Sequence, residues 1–211
     1  TLMQGYRTYY DNKKYIEFEQ LANLLVTIQI RTKQVMGKKP GEIWEITKEI
    51  SENIRDNKSW PDITAPIITD HQASKVEFEA ELEKFTSKTS VVVKYILEKH
   101  QNQYLPGTEV EHIMPQTIGD WQDDIIQWKN YSNLSSKDDQ KLAAKKYHKD
   151  NVDFIGNQML LEIPLNKKIG NSRFKDKQLG YVGSNFTEAQ KIGKSKNVEW
   201  TDTEILKRQN E

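Results

Sequence analysis

At 211 residues, with 31 basic and 31 acidic side chains, the chain is long enough for one large domain or two small ones and has no net charge to hold it on DNA by bulk attraction. Its 36% hydrophobic and 29% charged content is polar for a globular protein, yet Trp, Tyr, Phe, Ile and Leu are spread throughout, which excludes wholesale disorder. The absence of cysteine excludes disulfides and thiolate zinc sites, so any metal must be bound by histidine, carboxylate or amide.

The opening TLMQGYRTYYDNKKY lacks the apolar segment of a signal peptide, and no apolar run approaches the roughly 20 residues of a membrane span. A cytoplasmic protein is the expectation. The missing initiator Met points to a fragment or a processed chain. From Tyr15 to Met36, Ile16, Leu21, Leu24, Leu25 and Ile28 recur at helical spacing, with no interior Pro or Gly before Gly37, which predicts one amphipathic helix. Ile43, Trp44, Ile46, Ile50 and Ile54 predict a second, stopped near DNKSWPD. Segment 61–73, with two prolines, reads as a connector. Apolar positions between Lys75 and His100 continue a helical pattern interrupted near TSKTS, and QYLPGTEV carries a Pro-Gly turn that makes residues 101–108 the internal boundary.

Beyond that boundary the texture changes. TEVEHIM and DFIGNQMLLE are compact apolar or β-branched runs, predicted as strands at 109–113 and 154–161. The intervening DWQDDIIQWKNY and SKDDQKLAAKKYH predict short helices, and LNKKIGNSRFKDKQLGY predicts a helix over 165–178 weakened by Gly170. A terminal helix is expected around TDTEILKRQ. The predicted fold is α+β and mostly α, with a helical domain at 1–105, a hairpin-and-helix domain with a helical insertion at 106–190, and a carboxy-terminal extension at 191–211. Charge is uneven: positions 41–100 hold 12 acidic and 8 basic residues, and positions 163–198 hold 8 basic and 2 acidic. A solvated face and a phosphate-binding surface both fit that pattern.

The residues that carry chemistry are EHIMPQ at 111–116 and IGNQMLLEIPLN at 155–166. They pair Glu111 and His112 with two asparagines nine positions apart, Asn157 and Asn166. Hydrolysis of a phosphodiester needs a deprotonated water, neutralisation of charge on the phosphoryl oxygens, and help for the departing alkoxide. A neutral imidazole can take the proton, while carboxylate and amide oxygens suit Mg²⁺ or Mn²⁺. On a regular strand Glu111 and His112 face opposite ways, so both can serve one site only if the strand twists or ends there, as Pro115 allows. His71, His100 and His148 lack such company and are expected to be surface or satisfied core residues. Asn157 after Ile-Gly also fits a turn residue, and Asn166 a helix cap with Asn171 as its rival for a metal.

EHIMPQ, IGNQMLL, PLNKKIGN and SRFKDKQLGY together resemble the carboxy-terminal nuclease region of GmrSD-type (type IV) restriction endonucleases, a branch of the HNH or His-Me finger nucleases. Their wider pattern is a DH dipeptide, an Asn, a Leu four later and an Asn nine later. Glu111-His112, Asn157, Leu161 and Asn166 meet it, with Glu in place of Asp. The resemblance implies a ββα-metal nuclease domain over roughly 106–186 that hydrolyses DNA using one divalent cation, Mg²⁺ or Mn²⁺. His112 would be the general base, Asn166 a metal ligand, Asn157 the residue that orients the histidine loop, and Glu111 a metal ligand or a partner of the histidine. Positions 162 and 165 are Glu and Leu rather than cysteines, so no structural zinc is implied. Lys167, Lys168, Arg173, Lys175 and Lys177 are the candidate nucleic-acid contacts, with Phe174 and Tyr181 as packing residues.

The same resemblance implies a role in prokaryotic phage defence, restricting foreign or modified DNA. It also implies a separate amino-terminal nucleotide-binding sensor domain as partner, with a homo-oligomer as a further possibility. Two alternatives stand beside it. One is a DNA-binding or assembly module whose catalysis has lapsed, and the other is RNA as the substrate.

Overall fold

Long stretches of this chain place apolar residues three and four apart, and among the described residues two short runs form strands, so helices dominate and the sheet is minimal. The computed structural model describes residues 1–102 and 104–211. Gln103, inside the expected boundary segment, lies outside the described residues. The chain forms two compact units, Thr1–Lys84 and Phe85–Glu211. The α+β, mostly helical expectation is met, with a single two-stranded antiparallel sheet among the described residues.

The first unit contains α1 (Leu2–Gly5), a π-helical turn at Tyr6–Tyr10, α2 (Tyr15–Ile28) running on as a π-helix at Gln29–Val35, α3 (Pro40–Arg55), α4 (Trp60–Ala73) and α5 (Lys75–Leu82). Leu21, Ile28, Ile50, Ile54, Ile63 and Ile67 form its core. The connector expected at 61–73 is instead helix α4. Pro61 lies in the first turn, where its missing N–H would be unsatisfied anyway, and Ile63 and Ile67 bury one face four residues apart. That burial outweighs the interruption at Pro66.

The second unit begins with α6 (Ser90–His100) and continues through β1 (Thr108–His112), α7 (Trp121–Trp128), α8 (Lys137–Asn151), β2 (Gln158–Glu162), α9 (Ile163–Ile169), α10 (Phe174–Tyr181), α11 (Thr187–Gly193) and α12 (Asp202–Gln209). β1 and β2 pair antiparallel, with Thr108 opposite Glu162 and His112 opposite Gln158. One face of the hairpin, carrying Val110 and Leu160, packs with Val93, Leu97 and Leu105. The other, carrying Met159 and Leu161, packs into the main core of Ile113, Met114, Trp121, Ile169, Phe174, Tyr181 and Trp200.

The helix expected over 165–178 is two helices, α9 and α10. Gly170 has φ +52°, a left-handed conformation that glycine adopts at little cost and that ends α9. The compact units divide between Lys84 and Phe85 rather than at the Pro-Gly turn, because α6 buries Val93 and Leu97 against the hairpin residue Leu160. The segment 191–211 is likewise part of this unit. α12 lies so close to the 155–157 turn that a Cβ on Gly156 would clash with the Ile205 carbonyl oxygen.

Candidate active site

Alternation along β1 turns Glu109 and Glu111 to the face covered by α9 and α10, and Val110 and His112 to the opposite face. The two members of the Glu-His dipeptide therefore have different surroundings. Glu111 is buried, and its Oε1 accepts from Lys177 Nζ at 2.6 Å and from the Tyr181 hydroxyl at 2.7 Å. Lys177 Nζ also donates to the main-chain oxygen of His112 at 2.7 Å. Burial pushes the Glu111 carboxyl up and the Lys177 ammonium down from their ordinary ranges, and each charge partly offsets the other's desolvation.

Lys177 was expected among the phosphate contacts, and here the structure corrects the sequence. It is 0% exposed and committed to Glu111 and His112, so it faces no ligand. The signal was present: Phe174, Lys177 and Tyr181 recur at i, i+3 and i+7, which places the lysine in the buried stripe of α10 between two core aromatics. Tyr181 packs in the core as expected and adds a polar contact that its type alone did not announce.

Asn157 is 0% exposed and makes every bond its amide allows. Its Oδ1 accepts from the Met114 amide at 2.8 Å and from Trp200 Nε1 at 3.0 Å. Its Nδ2 donates to Met114 O and to Val152 O, both at 2.9 Å, and its main-chain oxygen accepts from the Ile113 amide at 2.9 Å. The loop that follows His112 is thus tied down residue by residue. His148, buried on α8, pins it again by a ring nitrogen donating to Pro115 O at 2.7 Å, so the bland reading of that histidine is the right one.

His112 is partly exposed as a residue, but its Nε2 is enclosed and has no hydrogen-bond partner among the described residues. Burial lowers its pKa from 6.5 to about 4, with Asp153 opposing and Lys177 and His148 reinforcing the shift. The ring is neutral at physiological pH, the state a base requires. A folded-state value below the unfolded one means that stability is present above pH 6.5 and lost as pH falls toward 4. Chemical denaturation at pH 7 and pH 4.5 is expected to differ by about 2–3 kcal/mol from this group, a component that disappears in His112→Gln. An unchanged pH dependence in that variant would place the effect elsewhere.

Asn166 lies on α9, where its Nδ2 donates to Glu109 Oε1 at 3.0 Å. The structure therefore brings Asn166 together with Glu109, a residue that no motif singled out, and sets it on the face opposite the His112 ring. Asn171 is exposed beyond the end of α9. Lys167, Lys168 and Lys175 are exposed, whereas Arg173, also exposed, is paired with Asp124 at 2.8 Å. Trp200, likewise unforeseen, completes the Asn157 network from outside the 106–190 segment.

Among the described residues no three His, Asp or Glu side chains are grouped as a metal cluster. The oxygen donors at hand are the Asn166 amide and the Glu109 carboxylate, with Glu111 Oε1 already engaged. Such a set fits Mg²⁺ or Mn²⁺, ions held by one or two side chains with water and phosphate filling the remaining positions.

Comparison with protein families gives the class first: the chain is a restriction-endonuclease domain, hence a nuclease of restriction. The model for GmrSD restriction endonucleases, C-terminal domain, matches residues 72–211, more than half of the chain, and the chain belongs to that family. The resemblance carried by EHIMPQ and the motifs after it is thereby borne out. No curated protein matches the chain. No described helix is long and apolar enough to cross a membrane.

Proposed function

We propose that the second unit is a metal-dependent DNA endonuclease of the HNH type, working in the cytoplasm in restriction of foreign or modified phage DNA. The observation that supports this most is the doubly bonded Asn157–Met114 pair, which fixes the loop directly after a histidine kept neutral by burial. In this reading His112 takes the proton of the attacking water, a contribution worth roughly 10²–10⁴-fold in rate. Nε2 has no hydrogen-bond partner among the described residues, so no protein group there competes with water for it. Asn166 and the adjacent Glu109 hold the cation. When bound there it neutralises charge on the phosphate and on the leaving 3′ oxygen. Lys167, Lys168 and Lys175 meet the DNA backbone, and Arg173 joins them on release from Asp124. The products are 5′-phosphate and 3′-hydroxyl ends, and a separate nucleotide-binding sensor domain and self-association remain part of this proposal.

One observation favours the second reading, a DNA-binding or assembly module without catalysis: His112 and Asn166 lie on opposite faces of the hairpin. Plasmid nicking with Mg²⁺ or Mn²⁺, with chelator, and with Asn166→Ala decides between them. Metal-dependent nicking that chelator stops and the variant loses by at least about tenfold supports the nuclease. Binding of DNA without nicking selects the module, and a parallel digestion in which only RNA is cut overturns the choice of substrate.

A further inference from the structure

We propose that Lys177 is a positioning residue for the site, holding the main chain of His112 and with it the direction in which the ring leaves the strand; this rests on His112 being the base. The ammonium is fully buried and divides its donors between two acceptors of one dipeptide, the Glu111 carboxylate at 2.6 Å and the His112 carbonyl at 2.7 Å. On the other side of the same peptide unit the Ile113 amide donates to the Asn157 main-chain oxygen at 2.9 Å. The His112–Ile113 peptide is therefore gripped at its oxygen by α10 and at its nitrogen by the turn before β2. Its plane cannot rotate without breaking a buried bond. The Tyr181 hydroxyl, at 2.7 Å from the same Glu111 oxygen, keeps that carboxylate from swinging and so keeps the ammonium in place.

Charge compensation alone does not require this arrangement. A lysine serving only as counter-ion to Glu111 needs one acceptor, and a buried ion pair can often be replaced by an apolar pair with little loss of stability. The bond to the His112 carbonyl is what an apolar or singly bonded substitute would lack. With the backbone fixed, side-chain rotation is the freedom left to the imidazole, and a displacement of about 1 Å at a reacting group can cost roughly 100-fold in rate.

The test compares Glu111→Gln with the double variant Glu111→Gln/Lys177→Met, in which no buried charge is left uncompensated and the fold is expected to survive. Relative to Glu111→Gln, the double variant should show kcat for plasmid nicking lower by roughly 10- to 100-fold, KM for DNA little changed, and faster amide hydrogen exchange at Ile113 and Met114. Lys177→Arg alone should recover part of the rate. Equal kcat and equal exchange in the two variants would overturn the proposal and leave Lys177 as a counter-ion. Should the unsubstituted chain bind DNA without cutting it, the nuclease reading fails by itself, and the exchange rates at Ile113 and Met114 still decide whether Lys177 holds the loop.

Discussion

His112→Ala is expected to lower metal-dependent nicking of plasmid DNA by roughly 10²–10⁴-fold while leaving the fold intact. The two halves of that expectation have separate causes. The rate falls because the only titratable ring of the Glu-His dipeptide is gone, and its replacement cannot accept a proton. The fold survives because, among the described residues, Nε2 makes no hydrogen bond that the alanine would orphan, and the loop beyond residue 112 is held through Asn157, Lys177 and His148 rather than through the ring. Initial nicking rates under saturating Mg²⁺, alongside circular dichroism of both proteins, make the measurement. A variant that nicks as fast as the parent would remove His112 from the chemistry, whatever its place in the sequence motif.

Asn157→Asp is expected to have the largest effect on stability. The change is isosteric, yet it replaces the Nδ2 donor with an oxygen aimed at two carbonyls, Met114 O and Val152 O, each now 2.9 Å from the amide nitrogen. The carboxylate would be fully desolvated, with only the Met114 amide and the Trp200 indole to receive it. Loss of two buried bonds and burial of an unpaired charge are together worth about 3–5 kcal/mol. For a unit of this size the melting temperature should drop by roughly 10 °C or more. A thermal transition within a degree or two of the parent would show that the loop is held by something other than this amide.

The sequence was most legible where a local pattern and a packed face agree. Residues 109–113 alternate and β1 is there; Ile50 and Ile54 are four apart and share the core of the first unit; Asn157 was expected to orient the histidine loop and bonds directly to Met114. It was least legible where long-range packing overrides a local rule. Two prolines argued against helix at 61–73, but the burial of Ile63 and Ile67 is set by partners on α3 and α2 that no local window contains. Lysine type argued for solvent at 177, but its partner is 66 residues away. Glu109 had no claim beyond its charge until α9 brought Asn166 against it. The division of Glu111 and His112 between two environments was readable from strand alternation, and it is the feature on which the chemistry of the site now turns.

The indole of Trp200 reaches back across the unit to Asn157 Oδ1, and α12 closes over Gly156 just beyond it. During synthesis, a nascent chain not yet past residue 200 has β1, its histidine loop and β2 already made, but the amide that ties them still lacks one of its two donors. The loop after His112 is finished only after the ribosome has delivered this tryptophan.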